Sequence, residues 1–110
     1  MPTEADARMV IDQILKDAGW NIMDKSVVST EEPTADGRAD YLLKNTRTQP
    51  LAVIEAKRFS VDPYSGKEQA RTYAESLAAP FVMLSNGEDN YFWDYQEGDA
   101  TADPGFPLSS

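Results

Sequence analysis

The chain has 110 residues, 41% of them hydrophobic, with 19 acidic against 10 basic residues and a net charge of −9, which is the make-up of one folded domain with a modest core. It contains no cysteine and no histidine, so thiol nucleophiles, disulfides, histidine acid–base chemistry and zinc held by Cys or His are all excluded. The acidic balance argues against a tight unaided grip on nucleic acid, since that affinity comes mainly from Lys and Arg neutralising phosphates. No apolar run reaches membrane-spanning length and the N-terminus is acidic, so a cytoplasmic protein with no membrane partner is expected.

Thr3 followed by Asp6, with acids crowding the first turn, predicts a helix starting near Glu4. Val10, Ile11, Ile14, Leu15 and Ala18 fall on one stripe at helical spacing, and Gly19 reads as the stop. Trp20 to Met23 reads as a short strand that Val27-Val28 continues or follows. The polar, turn-rich stretch from Ser29 to Gly37 reads as a loop. Asp40 to Leu43 and Leu51 to Lys57 read as two strands joined by a polar connection compatible with a hairpin. Ser65-Gly66-Lys67-Glu68 matches a capping box, which predicts a second helix from Gly66 to Leu77 with Ala70, Tyr73, Ala74 and Leu77 on its apolar stripe.

Beyond Pro80, Phe81 to Leu84 reads as a buried strand, parallel to Leu51–Lys57 because a helix separates them. Ser85-Asn86-Gly87 is a turn and Tyr91 to Tyr95 a last strand. From Gln96 the composition is that of a tail or linker, which gives a domain over 1–95 and a C-terminal segment over 96–110.

The chemistry is concentrated at the end of the Leu51–Lys57 strand. Side chains alternate along a strand, so Glu55 and Lys57 face the same way. A carboxylate and an ammonium at the end of a core strand are costly to bury unless something pairs them. If the two strands are neighbours, Asp40 joins them at one sheet edge. Two carboxylates hold a hard cation such as Mg²⁺, and the ammonium orients an attacking water or offsets an oxyanion on phosphorus. The plainer readings are a solvated strand end for Asp40 and a surface ion pair for Glu55 and Lys57.

An Asp, a gap, then Glu-x-Lys at a strand end resembles the PD-(D/E)xK nucleases. Four stretches in order are similar to the N-terminal nuclease domain of the R (restriction) subunit of type I restriction–modification enzymes. They are Gly37-Arg38-Ala39-Asp40-Tyr41-Leu42-Leu43, Leu51 to Arg58, Gly66 to Ala74 and Ser85-Asn86-Gly87, within a likeness running from about Glu4 to Tyr95.

The resemblance implies an α/β, restriction-endonuclease-like fold with a mixed central β-sheet flanked by helices. It implies a metal-dependent DNA endonuclease with Asp40, Glu55 and Lys57 as catalytic residues. Mg²⁺, with Mn²⁺ as substitute, would be held by Asp40, Glu55 and the backbone carbonyl of Ala56. An acid on the first helix often lies near the metal in that family, directly or through water, which makes Glu4 a further candidate; its plain reading is a first-turn acid that serves the helix dipole. Gln69 and Tyr73 match a Gln-x-x-x-Tyr motif that supports the site and contacts nucleic acid. Their plain reading is a surface amide and a core phenol. Arg38 and Arg58 are candidates for positioning the DNA backbone, within a basic lip that also includes Lys57, Lys67 and Arg71.

No Gly-x-x-x-x-Gly-Lys-Ser/Thr phosphate loop occurs, so the chain carries no ATP site and is not the DNA-translocating motor. An excised domain, a truncated relative and a small standalone nuclease all fit. The implied partners are DNA, motor (helicase-like) domains and the modification and specificity subunits, which would deliver the DNA to a domain weak or inactive alone. The rival reading is a catalytically silent nuclease fold kept as a docking module. A third is an acidic α/β domain whose Asp40 and Glu55 lie far apart.

Overall fold

In the computed structural model, which describes residues 3–103, helix α1 (Glu4–Asp17) leads into strands β1 (Val28–Thr34), β2 (Gly37–Lys44) and β3 (Pro50–Ala56). A 3-10 turn (Pro63–Gly66), helix α2 (Lys67–Leu77) and strands β4 (Phe81–Ser85), β5 (Asn90–Trp93) and β6 (Thr101–Asp103) follow. The six strands form one mixed sheet in sequential order; only β3 and β4 pair in parallel, across α2, and the other neighbours are antiparallel. No helix among the described residues is long and apolar enough to cross a membrane.

Each helix covers one face of the sheet. Ile11 and Leu15 of α1 pack with Tyr41, Leu43, Ala52, Ile54, Ala56 and Met83. Ala70, Tyr73 and Ala74 of α2 pack with Leu42, Val53, Val82, Leu84 and Trp93. Along β3 the side chains alternate between the two cores, so Glu55 shares the α2 face with Val53. The predicted apolar stripe of α1 is rotated slightly: Ala7, Ile11 and Leu15 are buried, whereas Val10 is exposed and lies beside Gly87 and Phe59.

Four local expectations are corrected. Trp20 to Met23 is not a strand: Asn21 Oδ1 accepts from Met23 N–H and Asp24 Oδ1 accepts from Ser26 N–H, and these side-chain turns compete with an extended backbone. Most of the stretch from Ser29 to Gly37 is not a loop but edge strand β1, where two glutamates and Pro33 are tolerated because only one side is paired. The Ser65–Glu68 capping box does not form. Gly66 is the N-cap of α2 without a side-chain bond, and Ser65 Oγ donates to the Asp62 carbonyl at 2.7 Å inside the 3-10 turn. Conversely Thr3 and Asp6 make a complete reciprocal box on α1. Thr101–Asp103, expected in a linker, returns to the sheet as β6 against β5; the rest of the expected tail, 104–110, lies outside the described residues.

Candidate active site

The site is built where the ladder between β2 and β3 stops. Tyr41 pairs with Ile54, which places Asp40 and Glu55 across from each other one step on. There the two backbones part and the side chains take over the hydrogen bonding. Asp40 Oδ2 accepts from the Ala56 N–H at 2.8 Å, and Glu55 Oε1 accepts from the Asp40 N–H at 3.2 Å. Donors that would otherwise be orphaned at a fork in the sheet are thereby satisfied by carboxylates. The same exchange holds the two acids together, Glu55 buried and Asp40 partly buried. The reading in which Asp40 and Glu55 lie far apart is overturned by these bonds.

The electrostatics of this pair are unfavourable. Burial, then the Asp40 charge, push the Glu55 carboxyl up to about 8, against the pull of the Asp40 N–H and of Lys57. Glu55 is 5% exposed. Burial also raises Asp40, although the Ala56 N–H and Arg8 oppose it. Two buried carboxyls short of positive charge, beside a backbone carbonyl at Ala56, are a donor set suited to a hard divalent cation. Among the described residues no three acidic side chains gather into a ready-made cage. Glu4 instead lines an adjoining cleft of about 330 Å³ with Thr3, Lys57, Arg58 and Val61, and its charge reaches both Asp40 and Glu55.

Lys57 is held from two directions. Its N–H donates to the Ser85 carbonyl at 2.9 Å, which extends the parallel β3–β4 pairing by one residue. Its side chain runs over Gly66, where a Cβ would stand 2.9 Å from Lys57 Cε. Glycine at the start of α2 is thus the space through which the lysine passes. Tyr73 lies buried beneath the site, its hydroxyl so close to Gly37 that a Cβ there would stand 2.7 Å away. Burial, then the charges of Glu55 and Asp40, raise its pKa, while a hydrogen bond with Gln69 lowers it. The pair predicted one helical turn apart is therefore joined, with Gln69 exposed and Tyr73 in the core.

The basic lip is narrower than its five residues suggested. Lys57 and Arg58 line the cleft, and Arg38 is exposed on β2. Arg71 is paired along its own helix with Glu68 and Glu75, and Lys67 is paired with Asp99.

Two residues of the site are not identified by the sequence. Arg8 reaches from α1 to Asp40 and Glu31. The signal for it is its place between Glu4 and Asp12 at helical spacing, a charged row bordering the buried stripe Ala7, Ile11, Leu15. Asn86 does more than turn the chain. Its side chain donates to the Phe59 and Val61 carbonyls and accepts from the Glu88 and Asp89 N–H groups, which fixes the segment after Lys57 against the end of β4.

Comparisons with known proteins place the chain in a family. Residues 21–104 match the family described as the type I restriction enzyme R protein N terminus (HSDR_N). The chain is 33% identical over 109 residues to the type I restriction enzyme EcoAI endonuclease subunit of Escherichia coli, covering 84% of this chain and 13% of that protein. Among solved structures it is similar to a fragment assigned to an HsdR subunit of a type I restriction enzyme from Vibrio vulnificus YJ016, with a TM-score of 0.83 and 34% identity, covering 97% of this chain and 24% of that one. The type IIG restriction endonuclease BpuSI shares the fold alone, with a TM-score of 0.59 and 22% identity over 84% of this chain and 11% of that one. This chain thus spans a small part of its relatives' length, and it belongs to the family of the type I restriction enzyme R protein N terminus.

Proposed function

We propose that this chain is a metal-dependent DNA endonuclease domain that hydrolyses phosphodiester bonds, with Asp40, Glu55 and Lys57 as its catalytic residues. The observation that carries the reading is the fork between β2 and β3, where Asp40 and Glu55 are tied to each other's strand by hydrogen bonds of 2.8 and 3.2 Å. Each uses one oxygen to hold the fork; the second oxygen of Glu55, and Asp40 Oδ1 with Arg8 3.5 Å away, would face the cation. Asp40, Glu55 and the Ala56 carbonyl would hold Mg²⁺, with Mn²⁺ as a substitute and Glu4 in the adjoining cleft. Bound there, the ion supplies Lewis-acid stabilisation of charge developing on the phosphate.

The residues of the chain do the rest. Lys57, fixed by Ser85 and threaded past Gly66, presents its ammonium beside Glu55, where it orients a water and offsets negative charge. Arg58 extends the positive edge of the cleft toward a DNA backbone. Tyr73, hydrogen-bonded with Gln69, braces the floor on which the carboxylates sit. Arg38 and Gln69 are exposed and available to phosphates. Motor domains and modification and specificity subunits would bring the DNA, which answers the net charge of −9. That same charge favours the second reading, a silent docking module in a restriction complex.

Calorimetry with Mn²⁺ on the unaltered chain and on Asp40→Ala and Glu55→Ala separates the two. The expected result is binding by the unaltered chain and a loss of roughly 100-fold or more in both variants. Cleavage of DNA with partner subunits supplied should vanish with it. No binding by the unaltered chain at millimolar Mn²⁺, with or without DNA, leaves the docking module standing.

A further inference from the structure

Arg8 occupies a node that neither the motif nor the catalytic residues account for. One amino group, Nη1, donates to Glu31 Oε1 at 2.6 Å. The other, Nη2, donates to the Asp40 carbonyl at 3.1 Å and lies 3.5 Å from Asp40 Oδ1. The guanidinium lies 5.3 Å from the centre of the Tyr41 ring, and the Tyr41 hydroxyl in turn bonds Asp12 and the Arg8 carbonyl back on α1. A planar fork with donors on separate nitrogens bridges two acceptors in a way that an ammonium does not.

The strand on the far side is shaped to meet it. Glu31 has a φ of +52°, a left-handed conformation uncommon for a glutamate inside a strand. It falls between the paired positions Thr30↔Tyr41 and Glu32↔Ala39, which places it level with Asp40. The backbone of β1 is therefore twisted at the one position whose side chain holds Arg8. Asp40 is gripped on both sides, by Ala56 N–H on Oδ2 and by Arg8 on its carbonyl and Oδ1.

We propose that Arg8 is a positioning residue that holds Asp40 in its cation-binding orientation, with Glu31 holding Arg8. The inference rests on the proposed metal site, and it predicts a sign that simple electrostatics does not. A positive charge beside a ligand repels a cation, so its removal would tighten metal binding if Arg8 were merely an ion-pair partner. If Arg8 positions Asp40, its removal weakens binding, as loss of an outer partner of a ligand does.

The test is Mn²⁺ calorimetry on the unaltered chain, Arg8→Ala, Arg8→Lys and Glu31→Gln, together with the NMR shift and exchange rate of the Ala56 amide. That amide reports the Asp40 Oδ2 bond whether or not metal binds. The expected result is a loss of about 10-fold or more in Mn²⁺ affinity for Arg8→Ala. Arg8→Lys and Glu31→Gln should show smaller losses of the same sign. All three should show a moved, faster-exchanging Ala56 amide, with the Val82 and Leu84 amides in place as a check on folding. Should Arg8→Ala fail to fold, Glu31→Gln carries the decision by the same readouts. Unchanged or tighter Mn²⁺ binding, or an Ala56 amide that stays where it was, overturns the proposal. If the unaltered chain binds no Mn²⁺, with or without DNA, the endonuclease reading falls, and the Ala56 amide alone decides for or against Arg8.

Discussion

Two charged constellations in this molecule are built on opposite terms. At the fork of β2 and β3, carboxyls outnumber the cations that face them and are buried, so burial drives the pair toward the neutral form. Beside α2, Lys67 is matched: it pairs with Asp99, bonds the Tyr64 hydroxyl at 3.0 Å, and lies 4.8 and 4.7 Å from the ring centres of Tyr64 and Trp93. There the bond with Asp99 raises the lysine and the bond with Lys67 lowers the aspartate, so both stay charged. A matched exposed pair is a fastening. An unmatched buried pair stores a demand for positive charge, and that demand is what a ligand can answer.

The difference between the two constellations is lost most fully when Glu55 is made unable to ionise. The folded chain keeps the Glu55 proton up to about pH 8, whereas the unfolded chain releases it near the ordinary value of 4.5. Between those values the unfolded state binds fewer protons, so stability falls as pH rises through the window. In metal-free buffer the unaltered chain should lose roughly 2–4 kcal/mol between pH 5 and 9, and Glu55→Gln should lose much less. Mn²⁺ binding must expel the same proton, so its affinity should climb toward pH 8. Urea unfolding at a series of pH values checks the first statement and calorimetry the second. Parallel stability curves for the two proteins would mean that Glu55 is ionised throughout and that the two constellations do not differ in kind.

A smaller effect is expected from filling the channel of Lys57. Gly66 has φ −91°, so alanine is allowed by the backbone, and the new Cβ meets only the flexible end of the lysine at 2.9 Å. Gly66→Ala should cost about 1 kcal/mol or less in stability and leave Mn²⁺ affinity unchanged. Cleavage with partner subunits should drop about 10- to 100-fold, because the ammonium is displaced while the carboxylates are not. Equal losses of metal binding and cleavage would instead place Gly66 in the architecture of the carboxylate pair.

What could be read from the sequence follows the range of the forces involved. Helices α1 and α2 follow from apolar periodicity over a few residues, the parallel β3–β4 pair from the helix between the strands, and the meeting of Asp40 with Glu55 from strand alternation once β2 and β3 are neighbours. Strand β1 was not legible, since an edge strand with Glu, Glu and Pro has the composition of a loop and is defined only by its neighbour β2. Strand β6 is hidden in the same way behind a linker-like stretch. Arg8 and Asn86 escape notice because their partners stand far away in the chain: Arg8 bonds Asp40 and Glu31, and Asn86 bonds Phe59 and Val61. The capping motif at Ser65 misled because Ser65 belongs to the 3-10 turn that Asp62 caps, where its hydroxyl donates to the Asp62 carbonyl, and α2 starts one residue later from Gly66.

The smallest effect is expected at the matched constellation, and it is the control for the others. Lys67→Met keeps an unbranched stem against Tyr64 and Trp93 and deletes the charge. The ion pair is exposed, and its loss is compensated by water, so the melting temperature should fall only slightly. Mn²⁺ affinity should stay within about twofold, as expected for sites without shared partners. The pH dependence of stability carried by Glu55 should keep its midpoint. A shift of either would mean that the cation beside α2 is felt at the fork in addition to Arg8 and Lys57. If neither moves, the fork stands as an electrostatically separate site, and only a bound cation or the neighbouring Arg8 and Lys57 can balance it.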